Sequence, residues 1–414
     1  MSCSEQKSAA LSGIDWMISY VSWKSRDLPS GGNRFSILAE LTDAFCFDEF
    51  AKRVSSLRSV KNFLGGRIRR DLAHWSPRWV YNCGEGRGIL CSRHKGESLS
   101  EICNELPEGV SFQARFFAEE RKILFTFSHK IFDGVGAEKF VSFLMQGELK
   151  DEVPERRIIP DIPAMKQSGR ELQNLMKTFP EKKILRLPEN CRNGKNEFET
   201  LSFSGEKFRS LEKTIEKKYG PFSVSLFLLA LILCELEKNV FPPAPSKEYI
   251  FIPMSVDQRK SRGEIDDPFF NNWSLMPLLV SRKVLACGVP ETIRHLRQLY
   301  TQALLKETPR LFAQASEAMK YLPYCLIDLF VRFSPAKTLG TLMFSFLESS
   351  HCGKGLIRNL AHYPVMPYGN NLGFFVNTCN DNLNIVISAR AWKGNAAFDL
   401  FCSKLCRILE EEEI

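Results

Sequence analysis

One ten-residue stretch, Phe125-Thr126-Phe127-Ser128-His129-Lys130-Ile131-Phe132-Asp133-Gly134, constrains the fold of this chain more than any other. The apolar run over 123–127 alternates as a half-buried strand does. It stops at a histidine, and four residues later come an acid and a glycine. Residues 135–145 then read as a helix. An imidazole at the end of a rigid strand, with a carboxylate one loop away, is placed as a general base is placed. The alternative is a histidine that only finishes the strand.

The chain has 414 residues, enough for two domains that each bury a core. Its 44% hydrophobic and 25% charged residues are ordinary globular composition and exclude general disorder. The net charge of +8 is modest, and the longest basic cluster, Arg67-Ile68-Arg69-Arg70, is too short for a nucleic-acid arm. A mildly basic surface suits an anionic small molecule such as a nucleotide-bearing thioester. The 13 cysteines show no C-x-x-C pair and no zinc spacing, so no metal site is expected. Residues 1–11 lack an apolar leader core, which points to reduced thiols in a cytoplasmic protein. The most apolar segment, 224–236, is too short to span a bilayer and runs into Glu235, Glu237 and Lys238. A buried helix, not a transmembrane segment, is expected there.

The first part of the chain reads as a strand over 35–41, a helix over 47–63 with Asp48 in its first turn, and strands over 79–81, 89–91, 110–117 and 123–127. Between 151 and 198 the texture changes, with Pro154, Pro160, Pro163, Pro180 and Pro188 punctuating a charged stretch that could hold a short helix over 168–177. The second half resumes with strands over 199–203, 249–253, 342–347, 372–378 and 383–389. Its helices fall over 205–219, 223–240, 291–306, 312–333 with a kink at Pro323, and 395–411. This order, without a regular βαβ repeat, implies a mixed α/β (α+β) fold rather than a doubly wound sheet. The division expected is a lobe over 1–150, a crossover linker over 151–198 and a second lobe over 199–414.

The hexapeptide His129-Lys130-Ile131-Phe132-Asp133-Gly134 resembles the His-x-x-x-Asp-Gly signature of an acyltransferase superfamily. That group holds chloramphenicol acetyltransferase, dihydrolipoyl acyltransferases, peptide-synthetase condensation domains, plant BAHD acyltransferases, and bacterial and fungal alcohol acyltransferases. The segment from Phe251 to Arg259 is similar to the strand ending in arginine in the second lobe of two-lobed members. Downstream, Asp267-Pro268-Phe269-Phe270-Asn271-Asn272-Trp273 is similar to their Gly-Asn segment, with Phe270 or Asn271 in the place of the glycine. The resemblance covers most of the chain. It implies two chloramphenicol-acetyltransferase-like lobes, each a mixed sheet flanked by helices, and a tunnel between them that meets the histidine from both faces. Two departures narrow it. Ser128 stands where condensation domains usually have a first histidine, and Asn370-Asn371-Leu372-Gly373-Phe374 matches the BAHD Asp-Phe-Gly-Trp-Gly signature poorly.

The resemblance implies roles for particular residues. His129 is the general base, and Asp133 turns from the substrate to pair with Arg259 and hold the loop. Gly134 fits a turn that needs positive φ or a close approach. Asn272 and Ser345 are candidates for oxyanion or substrate contacts, and Asp15 and Trp16 for the acceptor mouth or the core. His74, His94, His295, His351 and His362 lack the strand-end setting and are expected on the surface or satisfied in the core. The glycine-rich loop over 352–355 is a further candidate for substrate contact. The expected activity is transfer of an acyl group from acyl-CoA, as co-substrate, to an alcohol by a monomer with no bound cofactor. An acyl carrier protein is the alternative donor partner, in an ester- or amide-forming condensation. A non-catalytic binding protein of the same fold is the rival from another class.

Overall fold

The computed structural model describes residues 6–28, 32–70, 76–82, 88–94, 102–103, 105–107, 109–145, 161–177, 183–187, 196–243, 248–259, 271–333, 340–349, 355–390, 392 and 395–411. In the first half the strands are β1 (Gln6–Ala10), β2 (Arg34–Leu41), β3 (Arg67–Arg70), β4 (Pro77–Asn82), β5 (Ile89–His94), β6 (Phe112–Phe117) and β7 (Lys122–Ser128). In the second they are β8 (Lys183–Ile184), β9 (Asn196–Phe203), β10 (Glu248–Asp257), β11 (Trp273–Ser281), β12 (Met343–Glu348), β13 (Ile357–Pro364), β14 (Leu372–Cys379) and β15 (Asn382–Arg390). They form a five-stranded sheet in the order β13-β2-β7-β6-β5, a seven-stranded sheet β11-β10-β12-β14-β15-β9 with β8 beside β10, and a small sheet β1-β4-β3. This is a mixed α/β architecture, as the element order implied, with the two large sheets that the resemblance implied.

Both faces of the five-stranded sheet are buried, for different reasons. Phe35, Ile37 and Ala39 of β2 and Ile123, Phe125 and Phe127 of β7 enter one core with Phe50 and Val54 of helix Phe47–Ser56 and Phe140 and Val141 of helix Gly134–Met145. On the opposite face Leu38 and Leu124 pack with Tyr363, Phe375 and Val386 from the second half. Each such side chain contributes roughly 1.5–3 kcal/mol by leaving water. On this face Ser36 and Thr126 bond to each other at 3.0 Å, and Arg115 donates to the Ile102 carbonyl at 2.9 Å. The chain segment 199–414, expected to build the second lobe, also lends β13 to this sheet, antiparallel to β2 with Ile37 opposite His362.

In the second lobe, helix Val224–Asn239 is buried at every residue from Phe227 to Leu236, the core role expected for that apolar segment. Its one buried acid, Glu235, is bonded to Lys238 Nζ at 2.6 Å. No single helix among the described residues is long and apolar enough to cross a membrane.

The structure differs from the sequence reading at several elements. The run over 47–63 is two helices, Phe47–Ser56 and Arg58–Leu64, broken at Leu57 with ψ 75°. The run over 312–333 is likewise broken, into Thr308–Met319 and Tyr324–Phe333, because Pro323 cannot continue the ladder. The linker helix starts earlier than expected, as Ile162–Lys177. Strand β10 runs past Pro253 to Asp257, since Pro253 lies opposite Pro277 of the unforeseen β11. Cys379 is disulfide-bonded, which corrects the expectation that every thiol is reduced. Cys46, Cys91, Cys103, Cys234, Cys287, Cys325, Cys402 and Cys406 are free.

Candidate active site

Strand β7 delivers the site. Its last residue, Ser128, donates to the Ser111 carbonyl at 2.9 Å, and the His129 N–H donates to the Asn33 carbonyl at 3.3 Å. The loop then turns back on itself, with Ile131 and Phe132 N–H groups both reaching the Ser128 carbonyl. Ile131 and Phe132 are buried plugs, the Phe132 ring lying 5.1 Å from Phe127 and 5.2 Å from Phe140. The apolar pair inside the hexapeptide therefore anchors the loop, while exposed Lys130 faces out. That anchoring holds the residues on either side.

His129 is half-buried, its ring edge-on to Phe35 at 5.2 Å. Nδ1 is wholly buried and has no hydrogen-bond partner among the described residues. Burial pushes the imidazole below its ordinary value of 6.5, outweighing the Asp133 charge, the main chain of His129 and Phe132, and the Asn271 side chain, which pull upward. The setting therefore favours the neutral ring over the charged one.

Asp133 is fully occupied elsewhere. Oδ1 accepts from Gly136 N at 2.6 Å and Arg259 Nη2 at 2.9 Å, and Oδ2 accepts from Asn272 N at 2.8 Å and Arg259 Nη2 at 3.1 Å. No hydrogen bond joins it to His129. Arg259 also donates to Asp257 at 2.9 Å. Burial would lower the guanidinium's pKa, but the two carboxylates outweigh it and raise it. The pair is buried on both sides, at 6% and 8% exposure, so it sets loop geometry without a water escape route.

Gly134 starts the helix with an ordinary backbone, so the left-handed turn is not the reason for a glycine there. Close approach is. A Cβ on Gly134 would lie 2.9 Å from Leu347 Cδ1 of β12 and 3.8 Å from His362 Cε1 of β13.

Asn272 is buried, and its main-chain N–H is the group that meets Asp133. Its neighbour Asn271 is more deeply involved. Asn271 N donates to the Ile131 carbonyl at 2.9 Å, and its Nδ2 donates to the His129 carbonyl at 3.1 Å and to Asp15 Oδ1 at 3.2 Å. Ser345 is half-buried on β12, two residues before Leu347, so strand alternation puts both on the face that meets the loop. Asp15 is fully buried in the capping box of helix Gly13–Lys24. Trp16 bonds the Leu322 carbonyl at 2.9 Å and stacks on Tyr324 at 4.3 Å. Of the two roles open for Asp15 and Trp16, the core role is the one found.

His362 is satisfied in the core, one of the two settings expected for it. It is buried beside Gly134, with Nε2 2.6 Å from Glu138 Oε1, which also accepts from Ser349 Oγ at 2.6 Å. Nothing local in the sequence marks this group, because its members lie in three separate elements. His74, His351, Asp267 to Phe270 and residues 352–354 lie outside the described residues, as does the His94 side chain. A cavity of about 680 Å³ opens on the other face of β12, walled by Phe208, Met254, Phe344 and Phe346 and edged by Glu212 and Glu348. His129 does not line it. Among the described residues no group of three or more His, Cys, Asp or Glu side chains could hold a metal.

With these parts in place, the fold is the two-lobed chloramphenicol-acetyltransferase-like fold of acyltransferases and condensation domains. Trichothecene 15-O-acetyltransferase TRI3 from Fusarium sporotrichioides is similar over 98% of this chain and 95% of its own, at 13% identity and a TM-score of 0.70. The first condensation domain of the calcium-dependent antibiotic synthetase, in complex with a substrate analogue, is similar over 98% and 96%, at 10% identity and 0.63. The starter condensation domain of rhizomide synthetase, a mutant in complex with C8-CoA and Leu-SNAC, is similar over 97% and 94%, at 10% identity and 0.58. No family model and no curated protein matches the sequence.

Proposed function

We propose that this protein is an acyltransferase that moves an acyl group from acyl-CoA to an alcohol, with His129 as the general base. One observation carries the reading: an imidazole whose setting favours the neutral form, at a strand end beside a carboxylate whose oxygens are taken up by Arg259 and main-chain donors. Such a carboxylate sets the loop and leaves the ring to act alone. Because Nδ1 is buried, Nε2 is the nitrogen that takes the proton.

The acceptor oxygen attacks the thioester carbonyl carbon as its proton passes to Nε2. The carbonyl oxygen becomes an oxyanion, for which Asn272 and Ser345 are the candidate donors. The intermediate then collapses, the carbon–sulfur bond breaks, and the imidazolium returns its proton to the departing thiolate. No covalent enzyme intermediate and no bound cofactor are required. The acetyltransferase named above supports an oxygen acceptor, and the domain bound to C8-CoA supports a coenzyme A donor.

A second reading, condensation with a carrier-protein thioester, is favoured by the condensation domains that share the fold. The test is to incubate the protein with acetyl-CoA or octanoyl-CoA and a panel of alcohols, following free thiol and product mass. Thiol release with ester formation is the expected result. Transfer from an acylated carrier protein alone would favour the second reading. No transfer from either donor would leave a binding protein.

A further inference from the structure

We infer that Asn271 is a positioning residue for His129, holding the main chain of the base through an amide whose orientation is fixed by Asp15. The kinetic consequence rests on the acyl-transfer reading, but the effect on the ring does not. Both amide hydrogens are committed, one to Asp15 Oδ1 at 3.2 Å and one to the His129 carbonyl at 3.1 Å. A carboxylate only accepts, so the amide cannot turn over without setting two oxygens against each other. The orientation of the amide is thereby decided by Asp15.

Asp15 is itself immobile. It is fully buried, and its Oδ2 accepts from both the main chain and the hydroxyl of Ser12 at 2.7 Å. The capping box of the first helix, whose ordinary task is to satisfy free N–H groups, thus also anchors the amide beside the base. The main chain of the same dipeptide adds two more bonds to the loop, Asn271 N to the Ile131 carbonyl and Asn272 N to Asp133 Oδ2. Residues 129, 131 and 133 are each held by one dipeptide from the second half of the chain.

The Asn271 side chain is among the groups that favour the protonated ring, against the burial that disfavours it. Fixing the main chain of the base keeps the ring in one place through the transfer, so the loss of that hold is read in the ring and in the rate together.

The experiment compares wild type with Asn271→Ala in the full chain. Two-dimensional NMR follows titration of the His129 ring C–H, assigned with His129→Ala, and steady-state thiol release from octanoyl-CoA gives kcat and KM. Removal of the amide is expected to shift the ring's midpoint to lower pH by about half a unit or more. It is also expected to lower kcat about tenfold with KM within about twofold. Asp15→Asn, which frees the amide to turn over while keeping both side chains, is expected to do the same in smaller measure and stands in if the alanine variant fails to fold. A folded variant with an unmoved midpoint and unchanged kcat would overturn the inference. Wild type that releases no thiol would instead count against the acyl-transfer reading, and the titration would still decide the role of Asn271.

Discussion

His129 and Asp133 are four residues apart, yet the structure gives them separate work. The imidazole sits in a setting that disfavours its charge, so the deprotonated form persists to lower pH than for an ordinary histidine. The sign follows directly: a base must be neutral, so the acid limb of kcat/KM is expected below 6.5, measured by thiol release across pH. A midpoint above 6.5 would mean that the Asp133 charge outweighs burial. Asp133→Asn leaves Arg259 buried with a weaker partner, which is expected to cost about 3 kcal/mol in urea unfolding and most of the activity. Full activity with unchanged stability in that variant would remove the loop-holding role. At this scale the sequence was a good guide where the pattern is local: the hexapeptide and its arginine were both legible, the latter through resemblance. The partners of Asn271 and His362 were not, because those bonds span 142, 256 and 224 residues and leave no local signature.

The elements that meet at the site are the end of β7, the start of helix Gly134–Met145, and strands β12 and β13. A larger residue at position 134 would have to displace Leu347 Cδ1, the free end of a flexible side chain, so its strain should be small and relieved by shortening that neighbour. Gly134→Ala is expected to lower stability by about 1 kcal/mol or less, since Leu347 can turn aside, and adding Leu347→Ala is expected to remove that strain in a double-mutant cycle. Purely additive losses would place the strain elsewhere. Glu138 ties the same helix to β13 through His362 and to Ser349 beyond β12. Glu138→Ala removes the buried partner of His362 Nε2 and is expected to cost about 2 kcal/mol, again read by urea unfolding. Apolar runs revealed β2, β7 and helix Val224–Asn239, although β2 and β7 are buried on both faces and not half-buried as the alternation over 123–127 suggested. Strand β11 was missed although every second residue from Ser274 to Val280 is buried, because Pro277 argues against a strand unless its partner also lacks an N–H.

Across the whole molecule, the two halves are joined by more than a linker. Strand β13 leaves the second half to pair with β2, Arg259 reaches Asp133, and Asn271 reaches Asp15 and the His129 carbonyl. His129 and the side chains that hold its loop are thus drawn from opposite halves. Element order could be read from the sequence because it depends on local spacing. The pairing of residues 37 and 362 could not, since nothing in either strand names its partner. The same holds for the bonded state of Cys379. The central claim is that one imidazole performs the proton transfer without help from the nearby acid. Thiol release from octanoyl-CoA in the presence of an accepted alcohol, compared between wild type and His129→Ala, tests it most directly. The account predicts a loss of about 10²–10⁴-fold in kcat with the fold intact by circular dichroism. A His129→Ala enzyme that turns over at the wild-type rate would contradict it.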